Sequence, residues 1–164
     1  MNTVLLLILS CVVGVQCFGY VGHRIIGRLT WALVDSNTKQ ELERHFGGKS
    51  IFLQLSSWPD RIKFDVAWKW TFKYHFVNSQ DDPPNFCELV PNASEDENLL
   101  TGVEMFYNNL NQTNERFVEN LSFLIHLVAD LHQPLHITAK DHGGPRHYLN
   151  FNGQRVPLPL FYDT

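Results

Sequence analysis

Three histidines and one aspartate lie within the segment His126 to His136, and their spacing is suited to metal binding. His126 and Asp130 are four residues apart and would share one face of a helix. The rest of that helix is nearly all apolar, and an ionised Asp in such surroundings is costly unless it is paired or bound to a metal. Pro134 would end the helix, so His136 arrives from another direction. Nitrogen and carboxylate donors that converge in this way suit zinc.

A simpler interpretation of part of this pattern is structural. A lone buried histidine is commonly a hydrogen-bonded core residue, and the pair His126 and Asp130 could form such a bond. The polar positions Ser122, His126 and Asp130 nevertheless recur every four residues on an apolar helix. This thin polar stripe, with His136 beyond it, favours the metal interpretation.

Composition limits the classes of function. A chain of 164 residues with 44% hydrophobic residues can form one domain with a real core. The net charge of −4 argues against a broad basic patch that holds nucleic acid through phosphate contacts alone. A phosphate substrate remains compatible with this charge, because bound metal ions would supply positive charge locally.

The first residues predict a secretory signal peptide at 1–17. Val4 to Val15 is an apolar run that is short for a membrane span. Cleavage after Cys17 would leave Phe18 as the mature N-terminus, whereas an uncleaved anchor is the alternative. Three glycosylation sequons agree with secretion, and they begin at Asn92, Asn111 and Asn120.

Periodicity and turn signals predict a mostly α-helical chain with one small hairpin. The first helix has an apolar face formed by Val21, Ile25, Leu29 and Leu33, and Asn37 is expected to cap the second. Asn152-Gly153 is a hairpin turn signal. The predicted helices span roughly 21–34, 37–46, 51–57, 100–110 and 115–131, and Pro59 is expected to stop the third of them. The aromatic-rich stretch 64–77 gives no clear period.

Five blocks of sequence, in order and spacing, resemble the zinc-dependent class I nucleases. These are secreted single-strand-specific nucleases and 3′-nucleotidases, related in fold to zinc phospholipase C. The resemblance covers residues 18–164 and implies a helical bundle with a small β-hairpin. The blocks are Phe18–His23, Trp58–Asp60, His75–Asn78, His126–His136 and Gly143–Thr164.

The resemblance implies three zinc ions. The first would be bound by Asp60, His75, His126 and Asp130. The second would share Asp130 and add His23 with the α-amino nitrogen and carbonyl oxygen of Phe18. A free α-amine can lose its proton near neutral pH and so can bind a metal. The third would use His136, Asp163 and a further histidine.

This chain departs from the family pattern in three ways. Phe18 stands where the family usually has Trp, but the ligand atoms there belong to the backbone, so coordination should survive. Pro159 stands where the family has the further histidine, so the third site lacks a ligand unless His142 or His147 replaces it. The family's chains extend past the Asp163 position with more helices, so we expect a fold that is incomplete at its C-terminal end. The resemblance places the disulfide partner of Cys87 in that missing part.

The function implied by the resemblance is hydrolysis of single-stranded DNA and RNA by metal-activated water, with 5′-phosphate products. Asp60 would orient the water, Lys63 would face the phosphate, and His132 would support the metal ligands indirectly. Phe76 would stack on an unpaired base, although a core aromatic is an equally good interpretation. The protein is expected to be a monomer without stable membrane association.

Two other functions compete with this prediction. One is a catalytically impaired, metal-binding secreted protein that acts by interaction, which Pro159 favours. The other is a zinc phosphodiesterase or phospholipase that acts on lipid. The position of Phe76 fits the nuclease branch better.

Overall fold

The structure is a computed structural model, and it describes residues 18–79, 96–110, 115–138 and 143–159. Six α-helices, two 3-10 helices and one antiparallel hairpin make up these parts, which confirms the mostly α fold class. The α-helices are α1 (Tyr20–Leu33), α2 (Ser36–Phe46), α3 (Lys49–Leu55), α4 (Trp58–Ile62), α5 (Leu99–Leu110) and α6 (Phe117–Leu131). The 3-10 helices are Lys69–His75 and Pro134–His136. The hairpin joins β1 (Tyr148–Phe151) to β2 (Gln154–Pro157).

Helix α6 is the central element, because it contacts α1, α2, α4 and α5. Its apolar side chains pack into two clusters on different sides. One cluster joins α6 to α5 and the first 3-10 helix, and there the rings of Phe106 and Phe123 stack 4.5 Å apart and nearly parallel. The other cluster joins α6 to α1, α2 and α3 around Trp31 and Phe52. A helix that is buried all round must satisfy or use every polar group it carries.

Helix α1 approaches the end of α3 closely at Gly27. A Cβ atom at Gly27 would lie 2.8 Å from Oγ of Ser56, so a larger residue would push the two segments apart. This contact matters for the site, because Ser56 contributes a backbone carbonyl to it. The same face of α1 buries His23 and Trp31.

The apolar face that the sequence predicts for α1 is present, but it is exposed to solvent instead of being packed in the core. Val21, Ile25, Leu29 and Leu33 are all exposed within the described parts of the chain, and Leu33 is the most exposed at 84%. The opposite face is buried, because small and aromatic residues there permit close packing.

Other boundaries match the sequence predictions with two corrections. Helix α2 is capped by Asp35 and not by Asn37, since Oδ1 of Asp35 accepts hydrogen bonds from the amides of Asn37 and Thr38. Pro59 does not simply end α3 but lies in the first turn of α4, where a missing N–H costs nothing. The hairpin turn is confirmed, with Asn152 and Gly153 both at positive φ.

Candidate metal centre

The polar stripe of α6 faces the interior. His126 and Asp130 have no exposed surface, and Ser122 is almost as buried. The Ser122 hydroxyl donates to the carbonyl of Val118, so its polarity is satisfied within the helix. His126 and Asp130 instead face side chains from other elements. The stripe therefore delivers two metal-type donors to one buried location.

Four donor atoms from three segments converge there. Nδ1 of His75 lies 3.1 Å from Oδ2 of Asp130 and 3.8 Å from Oδ1 of Asp60. Nε2 of His126 lies 3.4 Å from the same oxygen of Asp130 and 3.5 Å from that of Asp60. The two histidine nitrogens are 3.2 Å apart. We call Asp60, His75, His126 and Asp130 the four-donor cluster.

These separations fit a tetrahedral metal. Zinc with bonds of about 2.0–2.1 Å holds four donors about 3.3–3.4 Å apart, by the geometry of a tetrahedron. The five separations given above surround that value. Two nitrogens and two carboxylate oxygens are also a donor set that zinc accepts. The four-donor cluster therefore fits the metal ion that the sequence predicted.

A second group of donors lies on the other side of Asp130. Its Oδ1 is 3.3 Å from Nε2 of His23 and 3.7 Å from Nε2 of His136. Nε2 of His23 is also 3.6 Å from Oδ2 of Asp60. Potential ligand atoms of His23, His126 and Asp130 all lie within 4.8 Å of one another. Asp130 thus has one oxygen toward each group, as a bridging ligand would.

Backbone carbonyls fix which nitrogen of two histidines faces the centre. Nδ1–H of His126 donates to the carbonyl of Ser56 at 3.0 Å. Nδ1–H of His136 donates to the carbonyl of His75. When the rings are neutral, this leaves the lone pair of both on Nε2, the nitrogen that faces Asp130. Partners of this kind orient metal-binding histidines in many proteins.

Several buried polar atoms at the centre make no hydrogen bond within the described residues. They are both ring nitrogens of His23, Nε2 of His75 and Oδ1 of Asp130. Each such atom costs free energy, because burial removes its water without a replacement. A metal ion would occupy the lone pairs of His23 Nε2 and Asp130 Oδ1. Their unsatisfied state is therefore a second observation that fits a metal.

Electrostatics keep the carboxylates ionised and two histidines neutral. Burial would raise the pKa of Asp130, but His136 and His126 hold it well below its usual value. Burial would likewise raise the pKa of Asp60, but His126 and Lys63 hold it below the usual range. Burial lowers the pKa of His75 to about 4 and, with His126 nearby, also lowers that of His23. These are the protonation states in which the groups bind metals.

His126 differs from the other histidines. Burial alone would lower its pKa, but the facing carboxylates of Asp130 and Asp60 outweigh burial and raise it. Without a metal, the two buried negative charges favour a proton on His126. A metal ion would replace that proton.

Lys63 reaches the edge of this centre. Its side chain is nearly buried, and Nζ lies 2.7 Å from Oδ1 of Asp60. Because Lys63 follows Asp60 by three positions at the end of α4, the short helix itself brings them together. The ammonium group is thus the one lysine cation that directly contacts the four-donor cluster in the described part of the chain.

Phe18 and Phe76, the two aromatic residues predicted for the site, lie beside it. Phe18 is half-buried at the start of α1, and its ring is 6.1 Å from that of His23. Phe76 directly follows His75, and its ring is also half-buried, against Phe72 at 5.6 Å. Partial exposure leaves both the base-stacking and the packing interpretation of Phe76 open.

The other residues that the sequence analysis singled out do not lie among the donors of the metal centre in the described parts of the chain. His132 is exposed, and its Nδ1 donates to the carbonyl of Val128, so it supports the end of α6 and not the metal ligands. Pro159 is buried, and His147 is exposed on the approach to β1. Asn120 is also buried, which disfavours the sequon that begins there. Residues outside the described parts include Asp163, His142, Cys87, Asn92 and Asn111.

The residues that sequence reasoning missed act through backbone atoms. The carbonyls of Ser56 and His75 orient His126 and His136, and the carbonyl of His136 accepts the amide of Val77 at 2.7 Å. A backbone carbonyl leaves no signal in residue type. The close approach of Gly27 to Ser56 is the only indirect trace that we find of it in the described residues.

Comparison with known proteins gives a consistent result. A family model described as S1/P1 Nuclease matches residues 18–164. The chain is 24% identical to Nuclease S1 of Aspergillus oryzae (strain ATCC 42149 / RIB 40), over 90% of this chain and 53% of that protein. It is 24% identical to Nuclease P1 of Penicillium citrinum, over 90% and 57%. It is 27% identical to Endonuclease 3 of Arabidopsis thaliana, over 97% and 58%. The chain thus spans just over half the length of these relatives.

Proposed function

Because the chain belongs to the S1/P1 nuclease family, we propose that it is a zinc-dependent nuclease of single-stranded DNA and RNA. Its products would carry 5′-phosphates, and 3′-nucleotides would also be substrates. The observation that carries this proposal is the four-donor cluster, whose separations of 3.1–3.8 Å match tetrahedral zinc. Relatives that are called nucleases and endonucleases support the same reaction class.

The zinc ligands are proposed as follows. The four-donor cluster binds the first ion, and His23, Asp130 and the terminal amine and carbonyl of Phe18 bind the second. A third would use His136 and Asp163, of which the structure describes only His136. When bound, these ions supply Lewis acidity, which makes water a nucleophile at neutral pH and stabilises the leaving oxygen.

Residues of the chain position the reactants. The ionised carboxylate of Asp60 accepts a hydrogen bond from the attacking water and so orients it. The Lys63 ammonium, 2.7 Å from Asp60, attracts the phosphate and stabilises the charge that develops on it. Burial of Asp130 and the histidines excludes bulk water, which strengthens these interactions.

Phe76 accounts for the preference for single strands. Its half-buried ring follows the metal-binding His75 directly, so a base stacked on it would lie next to the scissile phosphate. Stacking accepts any base but requires that the base be unpaired. The substrate is therefore chosen by strandedness and not by sequence.

The same proposal assigns the domain boundaries and the cellular location of the protein. Residues 1–17 would be removed as a signal peptide, and residues 18–164 belong to the nuclease domain. Cleavage before Phe18 would create the amine that binds the second zinc, so secretion and activity would be linked. No helix among the described residues is long and apolar enough to cross a bilayer. The proposed protein is a secreted monomer.

The direct test is hydrolysis by purified, secreted protein. Zinc-loaded protein should release 5′-mononucleotides from single-stranded DNA, should lose activity with a chelator, and should regain it with zinc. Duplex DNA of the same sequence is the control substrate. Zinc binding without hydrolysis of either substrate would instead support the interaction protein, the alternative that Pro159 favours.

A variant tests the base-stacking role. Phe76→Ala should weaken binding of single strands by about 1–3 kcal/mol if a base stacks on the ring. Tyr107→Ala removes an exposed aromatic on α5 and is the matched control. Unchanged affinity together with a lower melting temperature would identify Phe76 as a packing residue.

A further inference from the structure

An exposed groove lined by aromatic and basic residues opens beside the metal centre. It has a volume of about 320 Å³ and is lined by Lys63, Phe64, Lys69, Trp70, Phe72 and Lys73. We call it the aromatic–basic groove. Phe64, Trp70 and Phe72 expose 53%, 44% and 40% of their surface. Three large and exposed aromatic residues within ten positions are typical of an interaction or ligand-binding surface.

The groove is continuous with the proposed site at two points. Lys63 lines the groove and also contacts Asp60 of the four-donor cluster. Along the other side, the ring of Phe64 lies 5.7 Å from that of Phe72, which lies 5.6 Å from that of Phe76. A row of aromatic rings therefore leads away from the residue proposed to stack on the base.

The charge of the groove suits a polyanion. Three of its six lining residues are lysines, although the whole chain has a net charge of −4. Lys73 is less available to bind an anion, because it forms an ion pair with Glu97. Lys63 is nearly buried and paired with Asp60, so its ammonium group acts at the end of the groove next to the metal centre. Lys69 is exposed and can attract phosphates along the groove. A local basic strip on an acidic protein concentrates anions at that place.

We propose that the aromatic–basic groove binds the part of a single-stranded nucleic acid that extends beyond the nucleotide at the metal centre. This subsite rests on the proposed nuclease function and adds that substrate length matters. Bases stack on Phe64 and Phe72, while Lys69 attracts the backbone phosphates along the groove and Lys63 attracts the phosphate at the metal centre. Alternating aromatic faces and cations are the means by which proteins follow single strands without reading sequence.

Trp70 is less suitable for the test than its neighbours. Its ring also contacts Phe106 and Tyr74, at 6.3 and 6.1 Å, so its removal would disturb the core. Phe64 and Lys69 are exposed and lie outside both core clusters. Phe64→Ala and Lys69→Gln are therefore the variants of choice. Tyr107→Ala and Lys49→Gln are controls that remove an exposed aromatic and an exposed lysine elsewhere.

The experiment compares two strand lengths on zinc-loaded protein. Binding is measured by fluorescence anisotropy with labelled phosphorothioate oligothymidylates of two and of eight nucleotides, which keep the negative charge of the phosphodiester. Values of kcat/KM are measured with ordinary oligothymidylates of the same lengths. The wild type should bind the longer strand at least about tenfold more tightly. Phe64→Ala should reduce that gain about five- to tenfold. Lys69→Gln should reduce the slope of log Kd against log salt by about 0.7. Neither control should change these quantities.

The outcomes separate this subsite from the nuclease proposal. Hydrolysis of both lengths without a gain for the longer strand, or a gain that both groove variants retain, overturns the groove and leaves the nuclease proposal intact. Length-dependent binding that the groove variants reduce, without hydrolysis, supports the groove and overturns the catalytic proposal. Equal melting temperatures of all variants exclude unfolding as the cause.

Discussion

Nε2 of His126 lies 3.4 Å from Oδ2 of Asp130, one turn further along the same helix, and both side chains are fully buried. The other oxygen of Asp130 faces His23 at 3.3 Å. One carboxylate on a central helix thus connects two groups of nitrogen donors.

Asp130→Asn should remove more zinc than the loss of one site would. The amide cannot supply two anionic oxygens, so both groups of donors lose a charged ligand. Zinc content per chain, measured by mass spectrometry of the metal, checks this. His132→Ala is the control, because its ring contacts a helix carbonyl and not the centre. Full zinc content in Asp130→Asn would show that the carboxylate does not bridge.

An additional residue before Phe18 should abolish one zinc site and leave the four-donor cluster loaded. The added residue converts the terminal amine into an amide, which is a poor ligand. Phe18 lies beside His23, so the loss should occur at the group containing His23. N-terminal sequencing and zinc content of both forms provide the measurement. Fully active protein with an intact Met1 would contradict it.

Lys63→Met should lower kcat about 10²-fold or more while zinc content stays unchanged. The substitution keeps the length of the buried side chain but removes the cation that contacts Asp60 and would stabilise charge on the phosphate. Lys49→Met, at an exposed lysine in α3, is the matched control. If Lys63→Met retained wild-type kcat, Lys63 would have only a structural role.

Zinc binding should release protons at pH 6.5, and it should weaken as the pH falls. The pKa of His126 is raised above its ordinary value, so more than half of the His126 side chains carry a proton at that pH without metal, and zinc must displace it. His75, with a pKa of about 4, is already neutral and releases none, and His23, whose pKa is lowered by burial, releases less than His126 does. Calorimetry in buffers of different ionisation enthalpy measures the proton. Protein that retains residues before Phe18 should be used, so that no terminal amine contributes. Zinc binding without proton release would contradict the charge assigned to His126.

Hydrophobic period and residue spacing predicted two features of the fold and the site from the sequence. Four-residue spacing on an apolar helix correctly placed His126 and Asp130 on one buried face, and Asn152-Gly153 correctly marked the hairpin turn. Both patterns involve residues that are close in sequence, so they predict local structure without knowledge of the rest of the fold. The convergence of Asp60 and His75 on α6 came from family resemblance, since their distance along the chain carries no geometric information.

Other features depended on tertiary context. The first 3-10 helix, Lys69–His75, has no clear hydrophobic period because its aromatics are divided between the core and the aromatic–basic groove. Asp35 displaced Asn37 as the cap of α2, because either side chain suits that role and only the path of the chain decides. The exposure of Leu33 and its neighbours on α1 could not be predicted from their apolar character.

Zinc-edge anomalous diffraction from crystals of the protein tests the central claim most directly, because it locates the metal among its ligands. The account predicts a strong peak enclosed by Asp60, His75, His126 and Asp130, with a second peak on the His23 side of Asp130. Zinc found only at exposed histidines such as His45 or His147, with no peak inside the four-donor cluster, would contradict it.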